Sequence, residues 1–166
     1  RQLAEKYGLE RWMMVGSILA PELPEQTGRS RAELEEETAR LIEACPRVEE
    51  VWTRRELLAA QAEGVDREVD EERWLFANSF HRDRSADFLI RYEEHMMRSR
   101  SSVTTHGTVY LYDRQVPLVL LAPKLAPGRT NADLATVDIA PTIAGIAGVA
   151  IPDDVDGRDL SADLLP

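Results

Sequence analysis

The chain is short of cysteine and histidine. Its 166 residues include one cysteine, Cys45, and three histidines. A single cysteine excludes an intrachain disulfide bond. Cys45 follows Leu41 and Ile42 along the apolar stripe of a predicted helix, so we expect a buried and unreactive thiol at this position.

Long apolar segments are also missing. No run approaches the about 20 residues that cross a bilayer, and no signal-peptide pattern is visible. We therefore expect no membrane segment in this chain. Because the first residue is Arg1 and not methionine, we expect the chain to have been processed or cut from a longer polypeptide.

Basic residues are outnumbered by acidic ones. The 20 Lys and Arg against 30 Asp and Glu give a formal net charge of −10. This charge repels nucleic acid phosphates and anionic membranes, so we expect no nucleic acid as a structural partner. A phosphorylated substrate stays compatible with it, because bound divalent ions can reverse the local field. With 43% hydrophobic and 30% charged residues, the composition fits one globular domain.

Two capping boxes indicate helices in the first half of the chain. Ser30 and Glu33 have the spacing that predicts a helix start, and Thr53 and Glu56 repeat it. The segment between these two helices, residues 48–53, predicts a short strand. The first half is therefore expected to run helix, strand, helix.

Two further strands and a last helix are predicted in the second half. Residues 86–93 alternate between apolar and polar side chains, as a half-buried strand does. Residues 116–122 form a nearly continuous apolar run, which predicts a strand covered on both faces. Asp138 is expected to cap a helix over Ile139–Ala147, with Pro141 in its first turn. Strands that alternate with helices predict the α/β class.

One histidine lies in a loop of small residues. The run Thr-Thr-His-Gly-Thr at 104–108 leads towards the apolar segment at 116–122. A side chain on a stiff loop next to a buried strand is held in a fixed direction, which metal binding requires. His106 is therefore the candidate metal ligand of this chain.

The same loop is the first of several motifs. Val-Asp-Ile-Ala-Pro-Thr follows at 137–142 and Asp-Gly-Arg-Asp-Leu at 156–160. In order and spacing, residues 75–160 resemble the C-terminal part of the alkaline phosphatase superfamily. The resemblance is to the bacterial single-domain phosphatases and the nucleotide pyrophosphatase/phosphodiesterases in particular, and residues 1–74 share it loosely.

The resemblance implies a fold and an activity. The fold is an α/β three-layer sandwich with a mixed, mostly parallel sheet, in which residues 1–166 form the C-terminal part of a single catalytic domain. The activity is that of a zinc-dependent phosphoric ester hydrolase, a phosphatase or phosphodiesterase, with two zinc ions and a small phosphorylated substrate. His106 matches a ligand of the zinc that holds the hydrolytic water. A periplasmic or secreted location is also suggested.

Other parts of the family pattern are absent from the sequence. The chain contains no Asp-x-x-x-His and no Asp-His, and the resemblance places the Ser or Thr nucleophile upstream of the motifs found here. We therefore expect a fragment that supplies one metal ligand, contains no catalytic residue and is inactive alone. A sulfatase-type hydrolase of the same superfamily and a non-catalytic α/β interaction domain stay open as alternatives, and the sequence assigns no oligomeric state.

Several other polar residues have simpler interpretations. Thr104 and Thr105 are β-branched, and we expect them to stiffen the loop rather than to act as nucleophiles. His81 and Asp83 could pair at a metal, but a solvated turn explains them better. His95 is expected to be a surface or packing histidine.

Asp113 has two interpretations that the sequence leaves open. It follows His106 closely enough for its carboxylate to orient the imidazole of a metal ligand. A structural ion pair between Asp113 and Arg114 explains the same residues equally well. Farther along, Asp156 and Gly157 are expected to form a turn.

Overall fold

The computed structural model describes residues 1–14, 17–96, 104, 106–123, 125–131 and 134–164. They belong to two compact units, residues 1–116 and 117–166, and each unit is described by itself. The role predicted for Thr105 concerns a residue outside the described residues. None of the described helices is both long and apolar enough to cross a membrane.

In its described residues, the first unit combines short helices with two pairs of strands. Its strands are β1 (Met13–Met14), β2 (Ile18–Leu19), β3 (Val48–Thr53) and β4 (Phe88–Tyr92). Its helices are α1 (Gln2–Tyr7), α2 (Leu23–Thr27), α3 (Arg31–Glu43), α4 (Arg54–Glu63), α5 (Glu71–Ser79) and α6 (Leu111–Arg114). Strand β1 pairs with β2, and β3 pairs with β4; both pairs are antiparallel. The register of the second pair joins Thr53 to Phe88 and Val48 to Tyr92.

Both predicted capping boxes are confirmed. The Ser30 hydroxyl accepts a hydrogen bond from the Glu33 amide, and the Glu33 carboxylate accepts one from the Ser30 amide at 2.9 Å. Thr53 and Glu56 make the same reciprocal pair at the start of α4. These bonds satisfy amides that a helix start otherwise leaves without partners, which is why the local sequence locates both helices.

The buried thiol predicted at Cys45 is wrong, because Cys45 is exposed. Helix α3 ends at Glu43, and Ala44 is its C-cap residue. Cys45 therefore lies beyond the last helical turn, where the helical periodicity no longer determines which way a side chain faces.

A buried carboxylate joins the elements of the first unit. Asp87 is 1% exposed and immediately precedes β4. Its carboxylate accepts hydrogen bonds from the Leu19 amide at 2.7 Å, from Arg31 Nη2 at 2.6 Å and from Arg54 Nε at 2.7 Å. Its carbonyl oxygen accepts a bond from the Arg54 amide at 2.7 Å, and its amide donates to the Ser17 carbonyl. One residue thus fixes β2, α3, α4 and β4 relative to each other.

The apolar core lies around these bonds. Leu19, Leu23, Leu34, Val51 and Phe88 are each at most 5% exposed and belong to one cluster. Burial of such side chains contributes about 1.5–3 kcal/mol each relative to exposure. The core and the Asp87 bonds therefore stabilise the same set of elements.

The second unit contains a 3-10 turn (Thr136–Asp138), helix α7 (Ile139–Ala147) and helix α8 (Ser161–Leu164). The bounds predicted for α7 are confirmed, but its predicted capping by the Asp138 side chain is wrong. The Asp138 carboxylate instead accepts bonds from the Ala135 amide at 3.0 Å, the Arg158 amide at 2.8 Å and Arg158 Nη2 at 2.9 Å. The Arg158 guanidinium and these amides hold the pKa of Asp138 well below its ordinary value.

The turn predicted at Asp156 and Gly157 lies against the 3-10 turn. A Cβ atom added at Gly157 would stand 2.0 Å from the Val137 carbonyl oxygen. No larger residue fits that distance, so the close approach of the two backbone segments explains the glycine.

The buried strand predicted at residues 116–122 is wrong for the described structure. These residues form no strand, and Val119 and Leu121 are 86% and 98% exposed. An interior strand needs hydrogen-bonded neighbours and a covering layer on each face, and the described residues supply no such ladder. The mixed, mostly parallel sheet is likewise not seen, since the sheets in the described ranges are two antiparallel pairs.

We expect Asp87→Asn to destabilise the first unit by about 3 kcal/mol, because it removes one partner from a buried ion pair. The amide NH2 would also face the donors of Leu19, Arg31 or Arg54. Urea unfolding measures the loss. Asp83→Asn, at an exposed turn residue, should change the free energy of unfolding by less than about 0.5 kcal/mol; equal effects of both variants would contradict this role of Asp87.

Candidate functional site

His106 lies on the loop that leads from β4 to α6, and its side chain is exposed. It borders a cavity of about 200 Å³ that is also lined by Phe76, Ile90, Tyr92 and Tyr110. His106 is therefore accessible to a ligand and lies beside half-buried aromatic and aliphatic residues. This exposure is compatible with metal binding.

The backbone beside His106 is held by a carboxylate. The Thr108 amide donates a hydrogen bond of 2.6 Å to Asp113 Oδ2. This bond, with a smaller effect from the nearby His106, lowers the pKa of the Asp113 carboxyl. Gly107, between the histidine and this bond, has a φ of 100°, which only glycine adopts without strain. Asp113 thus contacts the loop of His106 and not the Arg114 side chain that the alternative interpretation required.

A tyrosine fixes the other end of the loop to the sheet. The Tyr110 hydroxyl lies 2.6 Å from the Tyr92 carbonyl oxygen and 3.0 Å from Glu49 Oε2. Its ring stacks on that of Tyr112, whose hydroxyl accepts a bond from the His95 amide. The His95 ring also packs on the Tyr112 ring, with 5.0 Å between their centroids. The prediction of a surface or packing histidine at His95 is confirmed, since its ring packs on Tyr112 and its side chain is exposed.

Next to this anchor, one arginine faces three carboxylates. Arg91 on β4 pairs with Glu49 and, at 3.4 Å, with Glu50, both on β3. Its Nε lies 2.5 Å from Glu72 Oε1 on α5. Burial, and next the neighbouring Glu50, raise the pKa of Glu72 to about 7. The cluster joins α5 to the β3–β4 pair below the loop of His106.

Of the other candidate residues, His81 and Asp83 are not brought to this loop. His81 and Asp83 lie in an exposed turn, where the Asp83 amide donates to His81 Nδ1, as the solvated-turn interpretation predicts. Thr104 is exposed. Arg114 Nη1 lies 3.4 Å from Glu71 Oε1 of α5. Within the part of the chain that the structure describes, no three His, Cys, Asp or Glu residues could hold one metal ion together.

Sequence reasoning missed the carboxylate cluster around Arg91. Glu49 and Glu50 on one strand and Arg91 on another become neighbours only once the register of β3 and β4 is known. The one available signal was the pair of acidic residues in the first turn of α5, which by itself indicates only a favourable helix start.

Comparison with known proteins shows the relationship. No family profile matches the chain. It is 30% identical over 144 residues to the alkaline phosphatase PhoK of Sphingomonas sp., a match that covers 81% of this chain and 25% of that protein. It is 30% identical over 149 residues to the alkaline phosphatase PhoD of Zymomonas mobilis, covering 85% and 25%. The chain belongs to the alkaline phosphatase superfamily.

A solved structure shows that the fold is shared. The chain matches the crystal structure of the alkaline phosphatase PafA with a TM-score of 0.80 and 17% sequence identity, over 99% of this chain and 31% of that one. The superfamily resemblance read from the sequence is confirmed by the two curated relatives, and the solved structure confirms the fold. This member spans about a quarter of the length of the curated relatives that it matches.

The Glu72 carboxyl should make the stability of this superfamily member depend on pH. Its pKa is about 7 in the folded chain against an ordinary value of 4.5. Between these two values the folded state keeps a proton that the unfolded state releases, so the free energy of unfolding should fall as the pH rises. Glu72→Gln should flatten this slope in urea titrations at several pH values.

Glu68→Gln is the matched control, because Glu68 is exposed and lies just before α5. It should keep the slope of the unmodified protein. A Glu72→Gln variant with that same slope would show that this carboxyl does not bind the proton.

Proposed function

We propose that this chain is the C-terminal part of a zinc-dependent phosphoric ester hydrolase and supplies one metal ligand, His106. The alkaline phosphatases PhoK and PhoD, which match most of the chain, support the class of reaction. The exposed imidazole beside a cavity supports the ligand. The exposed His106 in the superfamily's Thr-His-Gly motif is the observation on which the proposal mainly depends.

The residues present fit one position of a metal site. A neutral imidazole nitrogen is among the commonest zinc ligands, and catalytic zinc takes three protein ligands with one open position. Among the described residues, no group of three His, Cys, Asp or Glu side chains could complete a metal site at His106. The other ligands and the Ser or Thr nucleophile would therefore come from residues outside this chain. Two bound zinc ions would stabilise charge on the attacking and leaving oxygens of the phosphate ester.

The role of this chain is then to hold and orient one ligand. His106 would present one ring nitrogen, while the Asp113 carboxylate fixes the backbone at Thr108 and Tyr110 ties the loop to β4. The half-buried side chains of the cavity would limit water on one side of the imidazole. A rigidly held ligand keeps its direction when substrate binds.

The exposed apolar segment at 116–122 supports a larger fold around this chain. The side chains of Val119 and Leu121 are almost fully exposed. Such exposure is unusual for a contiguous apolar run on the surface of a complete folded protein. We propose that parts of the protein outside this chain pair with the segment. The mixed, mostly parallel sheet of a three-layer sandwich would form in that way, and residues 1–166 would belong to one catalytic domain.

The substrate class is a small phosphorylated molecule, either a monoester or a diester. A sulfatase-type hydrolase of the same superfamily would use a similar metal site, so the choice is made by residues outside this chain. The alternative from another class is a non-catalytic α/β interaction domain, and the lack of a three-donor cluster among the described residues is compatible with both. A measurement of bound zinc distinguishes the hydrolase from the interaction domain. A periplasmic or secreted location is proposed from the superfamily.

The isolated 166-residue chain should not hydrolyse para-nitrophenyl phosphate in the presence of zinc. The reason is that one ligand without a nucleophile cannot assemble the reaction. Release of nitrophenol, followed by absorbance, measures the rate. Turnover by the chain that disappears on addition of a chelator would show that the chain contains the residues we place elsewhere.

In the intact protein, His106→Ala should lower the zinc content by about one ion per chain, because metal binding depends directly on its ligands. Stability should change by less than about 0.5 kcal/mol, since the side chain is exposed. Elemental analysis measures the zinc content, and thermal unfolding measures the stability. His81→Ala, an exposed histidine of the same unit, should keep the full zinc content; full occupancy in both variants would overturn the ligand assignment.

A further inference from the structure

The proposed metal ligand and the group that fixes its loop are two different residues. Thr108 lies two residues after the histidine, and its amide donates to Asp113 Oδ2 at 2.6 Å. Asp113 is the third residue of α6, whose only turn begins after Tyr110. The carboxylate thus reaches back from a helical turn to the backbone of the loop.

That helical turn is itself fixed to two other elements of the first unit, β4 and α5. The Tyr110 hydroxyl lies 2.6 Å from the Tyr92 carbonyl oxygen of β4, and Arg114 Nη1 lies 3.4 Å from Glu71 Oε1 of α5. Asp113 stands between these two attachments. Its carboxylate is therefore a fixed acceptor for the Thr108 amide.

The loop needs such an acceptor. Gly107 has a φ of 100°, and glycine leaves the backbone the widest choice of conformations. Fixing the backbone of such a residue costs conformational entropy. A charge-assisted hydrogen bond next to the glycine offsets that entropy, and without it the direction of the imidazole would vary.

We propose that Asp113 is a positioning residue for the metal-binding imidazole of His106, acting through the hydrogen bond that its carboxylate accepts from the Thr108 amide. The inference rests on the proposed function, because it requires His106 to bind a metal. It adds that the affinity and geometry of that metal depend on a carboxylate that does not bind the metal itself.

The negative charge of Asp113 would be a second way for this residue to raise the metal affinity. His106 contributes to the lowered pKa of the Asp113 carboxyl, and a negative charge at Asp113 would favour a cation without any hydrogen bond. Asparagine separates the two routes. Its side-chain carbonyl oxygen can still accept the bond from the Thr108 amide, but it carries no charge.

The test uses the intact protein and the variants Asp113→Ala, Asp113→Asn and His106→Ala, with Asp83→Ala as a control at an exposed turn residue. Zinc affinity is measured by competition with a chromophoric chelator. The visible spectrum of the Co²⁺-loaded protein reports the ligand geometry, and thermal unfolding reports stability. A merely structural role would alter stability and leave the spectrum of the bound cobalt unchanged.

Asp113→Ala should weaken one zinc site by about 10- to 100-fold and change the Co²⁺ bands, while Asp113→Asn recovers most of both. An Asp113→Ala protein with unchanged affinity and spectrum would overturn the inference. So would an Asp113→Asn protein as impaired as Asp113→Ala, since the charge would then act without the hydrogen bond. If His106→Ala binds zinc fully, the proposed function fails as well; if it loses an ion while Asp113→Ala does not, only this inference fails.

Discussion

The first unit depends on a carboxylate buried between two arginines. Asp87 is 1% exposed and accepts bonds from Arg31, Arg54 and the Leu19 amide. A buried charge is tolerated only where partners satisfy its oxygens, and removal of one partner is strongly destabilising. Because the residue directly precedes β4, these bonds also determine where that strand begins. The consequences reach the candidate site through β4.

Strand β4 carries the groups that hold the loop of His106. The Tyr92 carbonyl accepts from the Tyr110 hydroxyl, and α6 starts directly after that tyrosine. Asp113 of α6 then holds the Thr108 amide. The backbone beside the proposed ligand is thus held by a series of contacts that leads back to the core, although the imidazole itself is exposed. A conformation fixed in this way needs few residues at the site itself.

Local signals in the sequence predicted local structure well, and tertiary partners were beyond them. Capping boxes at Ser30 and Thr53 located α3 and α4, because a cap involves residues only three apart. Cys45 and Asp138 were misjudged because their surroundings depend on where a helix ends and on a loop twenty positions away. The apolar run at 116–122 failed for the same reason, since a strand exists only with its neighbours. His106 and Asp113 were singled out from the sequence, whereas the bond between Asp113 and the Thr108 amide and the support from Tyr110 and β4 required coordinates.

Diffraction from crystals of the intact protein at the zinc absorption edge would show whether His106 binds zinc. We expect an anomalous peak with an imidazole nitrogen of His106 at about 2.0–2.1 Å from it. Zinc peaks that are all remote from a solvent-facing His106 would show that this histidine is not a ligand and that the proposed hydrolase site is wrong.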